Sequence, residues 1–170
     1  IFGDGDGFFS EPVFYQTQGN PWDFELVDVT GDGNLDLVVA INDEEWEIAI
    51  YQGDGIGNFE LFSTVPLNHQ PLGITIADFN DDSLNDLVVT LDKANFENIL
   101  VLQGNGMGLF NPVTTLSTIG IPGQIFNHDV NKDGLPDLVV NDHRITTFIN
   151  EGIVANTKVV AAKGIFKVSP

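Results

Sequence analysis

Short apolar runs, separated by Asp, Asn, Gly and Pro, recur along the chain. Between residues 21 and 70 the runs are FELVD, LDLVVAI, EIAIYQG and FELFSTV. The equivalent runs in the next stretch are ITIAD, DLVVTL, NILVLQG and FNPVTTL. Runs of this length, rich in β-branched and aromatic residues and bounded by turn formers, are typical of β-strands. No segment keeps an apolar period of 3.6 residues, so no helix is expected. The pattern predicts an all-β fold.

Three sequence markers recur at a fixed interval. Three equivalent acidic segments, of which DVTGDGNLDLVV is the first, start at Asp28, Asp78 and Asp129. Their spacings are 50 and 51 residues. A glycine-rich segment and a proline keep the same interval, at Gly3, Gly53 and Gly104 and at Pro21, Pro71 and Pro122. Each interval holds about four short strands, which is the size of one antiparallel β-propeller blade.

The repeats place residues 1–150 in one propeller domain of about three and a half blades, with units at 1–20 (partial), 21–70, 71–121 and 122–150. Closed propellers have about four to eight blades. The missing blades are therefore expected from the same chain, as part of a seven-bladed propeller, or from other copies. Residues 151–170 carry a net charge of +2 against −21 for the rest, and are expected to form a closing or edge strand or to start another segment.

The glycine-rich segments fall between the third and fourth strand of each unit, where glycine allows a tight turn. A phosphate-binding loop is disfavoured because no helix pattern follows to supply amide donors. The phenylalanines that end these segments are expected to pack between neighbouring blades; they are Phe9, Phe59 and Phe110.

Each acidic loop carries oxygen-bearing side chains at positions 1, 3, 5 and 9, counted from its first aspartate. These are Asp28, Thr30, Asp32 and Asp36 in the first loop, Asp78, Asn80, Asp82 and Asp86 in the second, and Asp129, Asn131, Asp133 and Asp137 in the third. Position 7, whose carbonyl can turn inward, is Asn34, Leu84 or Leu135. Three carboxylates, one neutral oxygen and one carbonyl suit a hard cation with about six to eight oxygen ligands. The loops therefore predict three Ca²⁺ sites rather than zinc, copper or magnesium sites.

The loops depart from an EF-hand, which closes its site with a glutamate at position 12 and lies between helices. Position 12 is a valine within a predicted strand, so the ninth-position aspartate is expected to close each site. The second site is expected to be the weakest, because Ser83 stands where the other loops have Gly33 and Gly134. The alternative is a solvated hairpin in which aspartate serves only as a turn former.

The motif D-x-[DN]-x-D-G-x-x-D, followed by an apolar strand at 28–36 and 129–137, resembles the FG-GAP/VCBS repeat family, best known from the propeller of integrin α chains. The element G-x-G-x-F at 53–59 and 104–110 strengthens the resemblance, while Thr30 and Ser83 depart from the motif. The resemblance implies a β-propeller whose calcium loops lie on one face and stiffen the blades. Such repeats also occur in fungal lectins, in bacterial surface and secreted proteins, and beside the catalytic parts of some polysaccharide lyases and phospholipases.

Charge narrows the possible partners. The 170 residues include 25 acidic and 6 basic side chains, for a net charge of −19, and no cysteine. Nucleic acid and anionic membrane surfaces are disfavoured because both need clustered Lys and Arg. No apolar stretch is long enough for a membrane span, so no membrane insertion is expected.

These observations favour a non-catalytic calcium-binding module, extracellular or at the cell surface, for adhesion or for binding a protein or glycan ligand. High extracellular calcium would fill even weak sites. Alternatives are a lectin with pockets between blades, a structural assembly subunit, and an accessory domain of a secreted hydrolase or lyase. Trp22 and Trp46 are candidate sugar-stacking residues, although buried aromatic residues are commoner. No enzyme activity is expected, because no histidine stands in a catalytic motif and only His128, beside Asp129, could support a metal site.

Overall fold

The computed structural model describes residues 11–94 and 96–152, together with the backbone of 166–168. This part of the chain contains twelve strands and no helix. No helix long and apolar enough to cross a membrane is therefore found within it. The strands are β1 (Pro21–Val27), β2 (Asp36–Ile41), β3 (Glu47–Gly53), β4 (Phe59–Pro66), β5 (Pro71–Ala77), β6 (Asp86–Leu91), β7 (Ile99–Gly104), β8 (Phe110–Leu116), β9 (Ile125–His128), β10 (Asp137–Asn141), β11 (Ile145–Asn150) and β12 (Phe166–Val168).

The strands form three sheets of four strands each, with consecutive strands paired antiparallel: β1 to β4, β5 to β8, and β9 to β12. The all-β fold built from four-stranded antiparallel units is confirmed. Half of the partial unit predicted at 1–20, residues 1–10, lies outside the described residues, and the described half, 11–20, contains no strand.

The repeat extends to irregularities in the strands. The pairing of β3 with β4 shifts register between Ile50 and Tyr51, and the pairing of β7 with β8 shifts between Val101 and Leu102, one interval later. The first strands of these two sheets also shift register next to their opening prolines. A bulge bends and twists a strand locally, so equivalent bulges give the sheets the same shape.

Two apolar clusters join the sheets into a stack. One lies between the first and second sheets and includes Val38, Ile50, Ile74 and Leu87, all almost fully buried. The other lies between the second and third sheets and includes Val88, Val101, Leu138 and Phe148. The first strand of each sheet contacts the first strand of the next, since β1 meets β5 and β5 meets β9. This is the arrangement of consecutive propeller blades.

Polar contacts fix the same junctions. The backbone N–H of Ile74 donates to Oδ2 of Asp23 at 3.0 Å, which ties β5 to β1. Thr90 donates through Oγ1 to the carbonyl of Gly123 at 2.6 Å, and Asn127 donates through Nδ2 to Oγ1 of Thr75 at 2.7 Å. The sheets are therefore held in a defined order as well as buried against one another.

The phenylalanine prediction is confirmed for Phe110, which is 8% exposed and packs in the cluster between the first two sheets. Phe59 packs against the first sheet, and its ring meets Tyr15 edge to face with 5.4 Å between the centroids. Phe9 lies outside the described residues.

Candidate metal centres

The three acidic loops occupy the same place in each sheet, between the first and second strands. The first and second loops are also linked directly. Asn85, in the second loop, donates through Nδ2 to the carbonyl of Asp28 in the first loop at 2.9 Å. The predicted site residues therefore lie along one edge of the stack.

In the first and second loops, the residue that follows the first aspartate carries a further contact between neighbouring sheets. The carbonyl of Val29 accepts the backbone N–H of Gly108, in the glycine-rich turn of the second sheet, at 2.8 Å. The equivalent carbonyl of Phe79 accepts Nδ2 of Asn150 at 2.8 Å. Asn150 stands where the first two sheets have Gly53 and Gly104, and the third unit has no glycine-rich turn. The side-chain amide of Asn150 thus donates the hydrogen bond that the backbone amide of Gly108 donates at the first junction.

Each loop holds two residues in the left-handed conformation. At position 6 the φ angles are 87° for Gly33, 67° for Ser83 and 93° for Gly134, which confirms that Ser83 must adopt a positive φ. Position 4 is also left-handed, with φ angles of 76° for Gly31, 62° for Asp81 and 65° for Lys132. A non-glycine residue in this region costs about 1 kcal/mol. The second loop carries that strain at both positions.

The first aspartate of each loop braces the backbone. Oδ1 of Asp28 accepts the N–H of Gly31 at 2.7 Å, and Oδ2 accepts the N–H of Gly33 at 2.8 Å. Asp78 and Asp129 accept the equivalent position-6 amides, at 2.7 Å and 3.0 Å. Position 1 therefore stabilises the left-handed turns whether or not a cation is bound.

In the first and second loops, the fifth-position carboxylate accepts a hydrogen bond from a glutamine that sequence reasoning missed. Asp32 accepts the N–H of Asn34 at 2.8 Å and Nε2 of Gln52 at 2.8 Å. These bonds, the Asn34 amide foremost, hold the pKa of Asp32 below its usual value. Asp82 accepts Nε2 of Gln103 in the same way, at 3.0 Å. The available signal was the dipeptide Gln-Gly, which recurs at the repeat interval.

The third loop has no such glutamine. There Asp133 accepts Nδ2 of Asn131 at 2.7 Å and the N–H of Leu135 at 2.9 Å. The carboxylate is therefore held by a neighbour within its own loop.

The ninth-position carboxylates are buried. Asp36 and Asp137 are 0% exposed and Asp86 is 3% exposed. Oδ2 of Asp36 accepts the N–H groups of Val29 and Thr30, both at 2.9 Å, and Oδ1 accepts the N–H of Gly53 at 3.0 Å. These bonds tie the start of the loop to the end of β3.

Asp86 is bound less completely than Asp36. It accepts the N–H groups of Phe79, at 3.3 Å, and Gly104, at 3.0 Å. Burial raises the pKa of Asp86 to about 6, with Asp82 and Asp78 adding to the increase, although the two amide bonds oppose it. The ionised form of Asp86 is therefore less favourable than that of an ordinary exposed aspartate.

The remaining predicted ligands differ between loops. Oγ1 of Thr30 is buried and has no hydrogen-bond partner, and it is the only such side-chain atom within the described residues. Asn80 and Asn131 instead accept the amides of Asp82 and Asp133 through Oδ1, at 2.9 Å and 3.0 Å. The position-7 residues donate their amides to the fifth-position carboxylates; they are Asn34, Leu84 and Leu135.

The side-chain oxygens of the loops are of the type that a hard cation binds. They do not surround a single point in this structure. Within residues 11–94 and 96–152, no group of three or more His, Cys, Asp or Glu side chains is arranged to hold a metal ion. An ionised carboxylate offers about four acceptor positions. Asp28 and Asp32 each use two and Asp36 uses three, so all three carboxylates keep unused acceptor positions.

Two further sequence expectations bear on ligand binding. The two candidate sugar-stacking residues are not buried, since Trp22 is 57% exposed and Trp46 is 38% exposed. His128 ends β9, is exposed, and lies opposite Asp137 in the strand pairing. His143 takes a φ of 78° in the turn between β10 and β11. None of these positions forms a catalytic arrangement with the acidic loops.

Residues 28–89 match the family model of the FG-GAP-like repeat. The resemblance predicted from the sequence is therefore confirmed over this part of the chain. No curated protein matches the chain.

One solved structure similar to this chain is a crystal structure of BBS1N in complex with ARL6DN, soaked with lead. It shares 16% sequence identity with a TM-score of 0.44, over 83% of this chain and 54% of that chain. The chain thus spans about half the length of that structure.

We expect Asp36→Ala to destabilise the fold even without metal, because it leaves the amides of Val29, Thr30 and Gly53 without an acceptor. Each buried amide left unpaired costs about 1 to 3 kcal/mol. The free energy of unfolding, measured in urea with a chelator present, should fall by about 3 kcal/mol or more. The matched control is Asp32→Ala, whose carboxylate is exposed and should cost much less. Equal losses for the two variants would contradict this assignment.

Proposed function

We propose that the chain is a non-catalytic, calcium-binding propeller-type module that works at the cell surface or in the extracellular medium, in adhesion or in binding a protein or glycan ligand. The observation that carries the proposal is the recurrence of one oxygen-rich loop at the same edge of three stacked sheets, with the same left-handed backbone. The FG-GAP-like match over 28–89 supports it.

The ligands proposed for each site are the side-chain oxygens at positions 1, 3, 5 and 9 and the carbonyl at position 7. In the first loop these belong to Asp28, Thr30, Asp32, Asp36 and Asn34. The buried, unpartnered hydroxyl of Thr30 supports a cation in this loop, since buried polar atoms are rarely left without a partner. A bound Ca²⁺ would supply the positive charge that amide hydrogen bonds only partly provide.

Calcium in these loops would stiffen the contacts between sheets. The carbonyls of Asp28 and Val29 accept hydrogen bonds from the second sheet, so the first loop is part of the junction as well as a binding loop. A cation that binds only the folded loop stabilises the whole stack. The proposed role is therefore structural, and ligand binding falls to other surfaces.

Unequal calcium affinity is also proposed. The second loop has two strained non-glycine residues, Asp81 and Ser83, and its buried Asp86 has a raised pKa. Backbone strain should weaken its site relative to the first and third. The additional carboxylate of Asp81 offsets part of this loss by adding negative charge nearby.

A glycan ligand is the second candidate, and the observation that favours it is the exposure of Trp22 and Trp46. An exposed indole offers a flat apolar face to a sugar ring. If the chain is a lectin, a glycan array should show a defined sugar class, and Trp46→Ala should remove that signal. An array without binding, in calcium, would leave protein ligands as the better candidate.

Calcium should raise the melting temperature. At a free concentration about 100 times Kd, binding at one site adds about 2.7 kcal/mol. For a chain of this size that corresponds to a rise of about 8 °C. Differential scanning calorimetry in Ca²⁺, in Mg²⁺ and in chelator measures it, with Mg²⁺ expected to do less because it prefers a smaller octahedral shell. An identical melt in all three buffers would contradict the calcium assignment.

Removing one fifth-position carboxylate should remove one ion. Isothermal titration calorimetry of Asp133→Ala is expected to give a calcium stoichiometry lower by one than the unaltered chain. The matched control, Asp43→Asn, changes an acidic residue outside the loops and should leave the stoichiometry unchanged. If Asp133→Ala still binds as many ions as the unaltered chain, the assignment of the third loop is wrong.

A further inference from the structure

We infer that Gln52 and Gln103 are positioning residues that set the calcium affinity of the first and second loops. Each glutamine lies near the end of the third strand of its sheet and donates to the fifth-position carboxylate of the loop in that sheet. The inference rests on the proposed calcium binding, and it adds residues from outside the loops to the proposed sites. The third loop lacks this arrangement, so it provides an internal comparison.

The glutamine of the first sheet holds Asp32 from outside the loop. Nε2 of Gln52 donates to Oδ2 of Asp32 at 2.8 Å, and the N–H of Asn34 donates to Oδ1 at 2.8 Å. Asp32 is exposed, and a side chain loses rotamer freedom when a cation fixes it. Because both oxygens are already held, less of that freedom remains to be lost on binding. The carboxylate is therefore pre-organised for a cation.

The second sheet repeats this arrangement. Nε2 of Gln103 donates to Oδ2 of Asp82 at 3.0 Å, and the N–H of Leu84 donates to Oδ1 at 2.9 Å. An ionised carboxylate offers about four acceptor positions, so each oxygen keeps one position that these bonds do not use. A cation can therefore bind the carboxylate without displacing the glutamine.

The third loop holds its carboxylate differently. Ile149 stands at the glutamine position, directly before Asn150, whose N–H donates to the buried ninth-position carboxylate of this loop. An isoleucine side chain has no donor, and Nδ2 of Asn131 donates to Oδ2 of Asp133 instead, at 2.7 Å. Asn131 is itself a proposed calcium ligand, so turning its oxygen toward a cation disturbs this bond. A glutamine outside the loop can keep its bond while the cation binds.

An open cavity beside Asp32 gives a cation access to this carboxylate. Its volume is about 320 Å³, and Gln52, Asp54 and Glu60 also line it. The cavity has room for several waters as well as an ion. The carboxylates of Asp54 and Glu60 add negative potential, which raises the local concentration of cations. Gln52 thus holds Asp32 in the wall of a cavity that a hydrated cation can enter.

A calcium titration followed by two-dimensional NMR of the full chain tests the inference for each loop separately. The reporters are the position-6 amides of Gly33, Ser83 and Gly134, which donate to the first aspartate of their own loops. Gln52→Met keeps a side chain of similar length and removes the donor. It should weaken calcium binding in the first loop by about tenfold, the lower end of the usual loss when a group that orients a metal ligand is removed. The other two loops should keep their affinity.

Two further variants complete the test. Gln103→Met should weaken the second loop alone by a similar factor. The reciprocal variant, Ile149→Gln, supplies the missing donor and should tighten calcium binding in the third loop. Melting temperatures in chelator accompany each titration, because a merely structural role would lower them and weaken all three loops together. Gln52→Ile and Gln103→Ile, which copy the third sheet, replace any methionine variant that melts early in chelator.

The positioning role and the proposed calcium binding fail in different ways. If the unaltered chain binds no calcium, both fall. If the unaltered chain binds calcium but the two glutamine variants keep its affinity, only the positioning role is wrong. Equal weakening of all three loops, or a third loop that is not tightened by Ile149→Gln, also overturns the positioning role and leaves calcium binding in place.

Discussion

The structure depends on a buried carboxylate that gathers backbone amides at the ninth position of each acidic loop. Asp36 holds three N–H groups, and Asp86 and Asp137 hold two each, one from the start of the loop and one from the end of the third strand. Because the bonds reach across the sheet, each carboxylate fixes where the loop leaves one strand and enters another. The exposed loop carboxylates are positioned by this buried one.

Clustered negative charge is compensated at two levels. Hydrogen bonds from backbone amides and from the side chains of Gln52 and Gln103 stabilise part of it within the protein. The Ca²⁺ that we propose would use the oxygen lone pairs that remain, together with the hydroxyl of Thr30. In the second loop, burial and the charges of Asp82 and Asp78 outweigh the two amide hydrogen bonds to Asp86 and raise its pKa to about 6. The same motif can therefore differ in strength from one repeat to the next.

Strand positions were predictable because local pattern decides them. The runs EIAIYQG and DLVVTL coincide with β3 and β6 residue for residue. The positive φ of Ser83 was also predictable, since its neighbours in the repeat are glycines. The left-handed Asp81 and Lys132 were not, because no residue type marks position 4 in all three loops.

Burial was the least predictable property. Trp22 and Phe24 look like core residues by type and by alternation, yet they are exposed. Their exposure depends on whether another sheet covers them, and that is a property of the assembly rather than of the local sequence. The bonds from Gln52 and Gln103 were missed for a related reason, since they join residues about twenty positions apart.

The replacement of a glycine turn by Asn150 has a consequence for how the repeat can diverge. In the first junction the turn around Gly108 must keep its shape, because its backbone supplies the bond to Val29. At the second junction one side chain supplies the equivalent bond to Phe79. The first junction therefore depends on the shape of a turn and the second on the identity of one side chain, so substitutions near Gly108 and at Asn150 would loosen the stack by different routes.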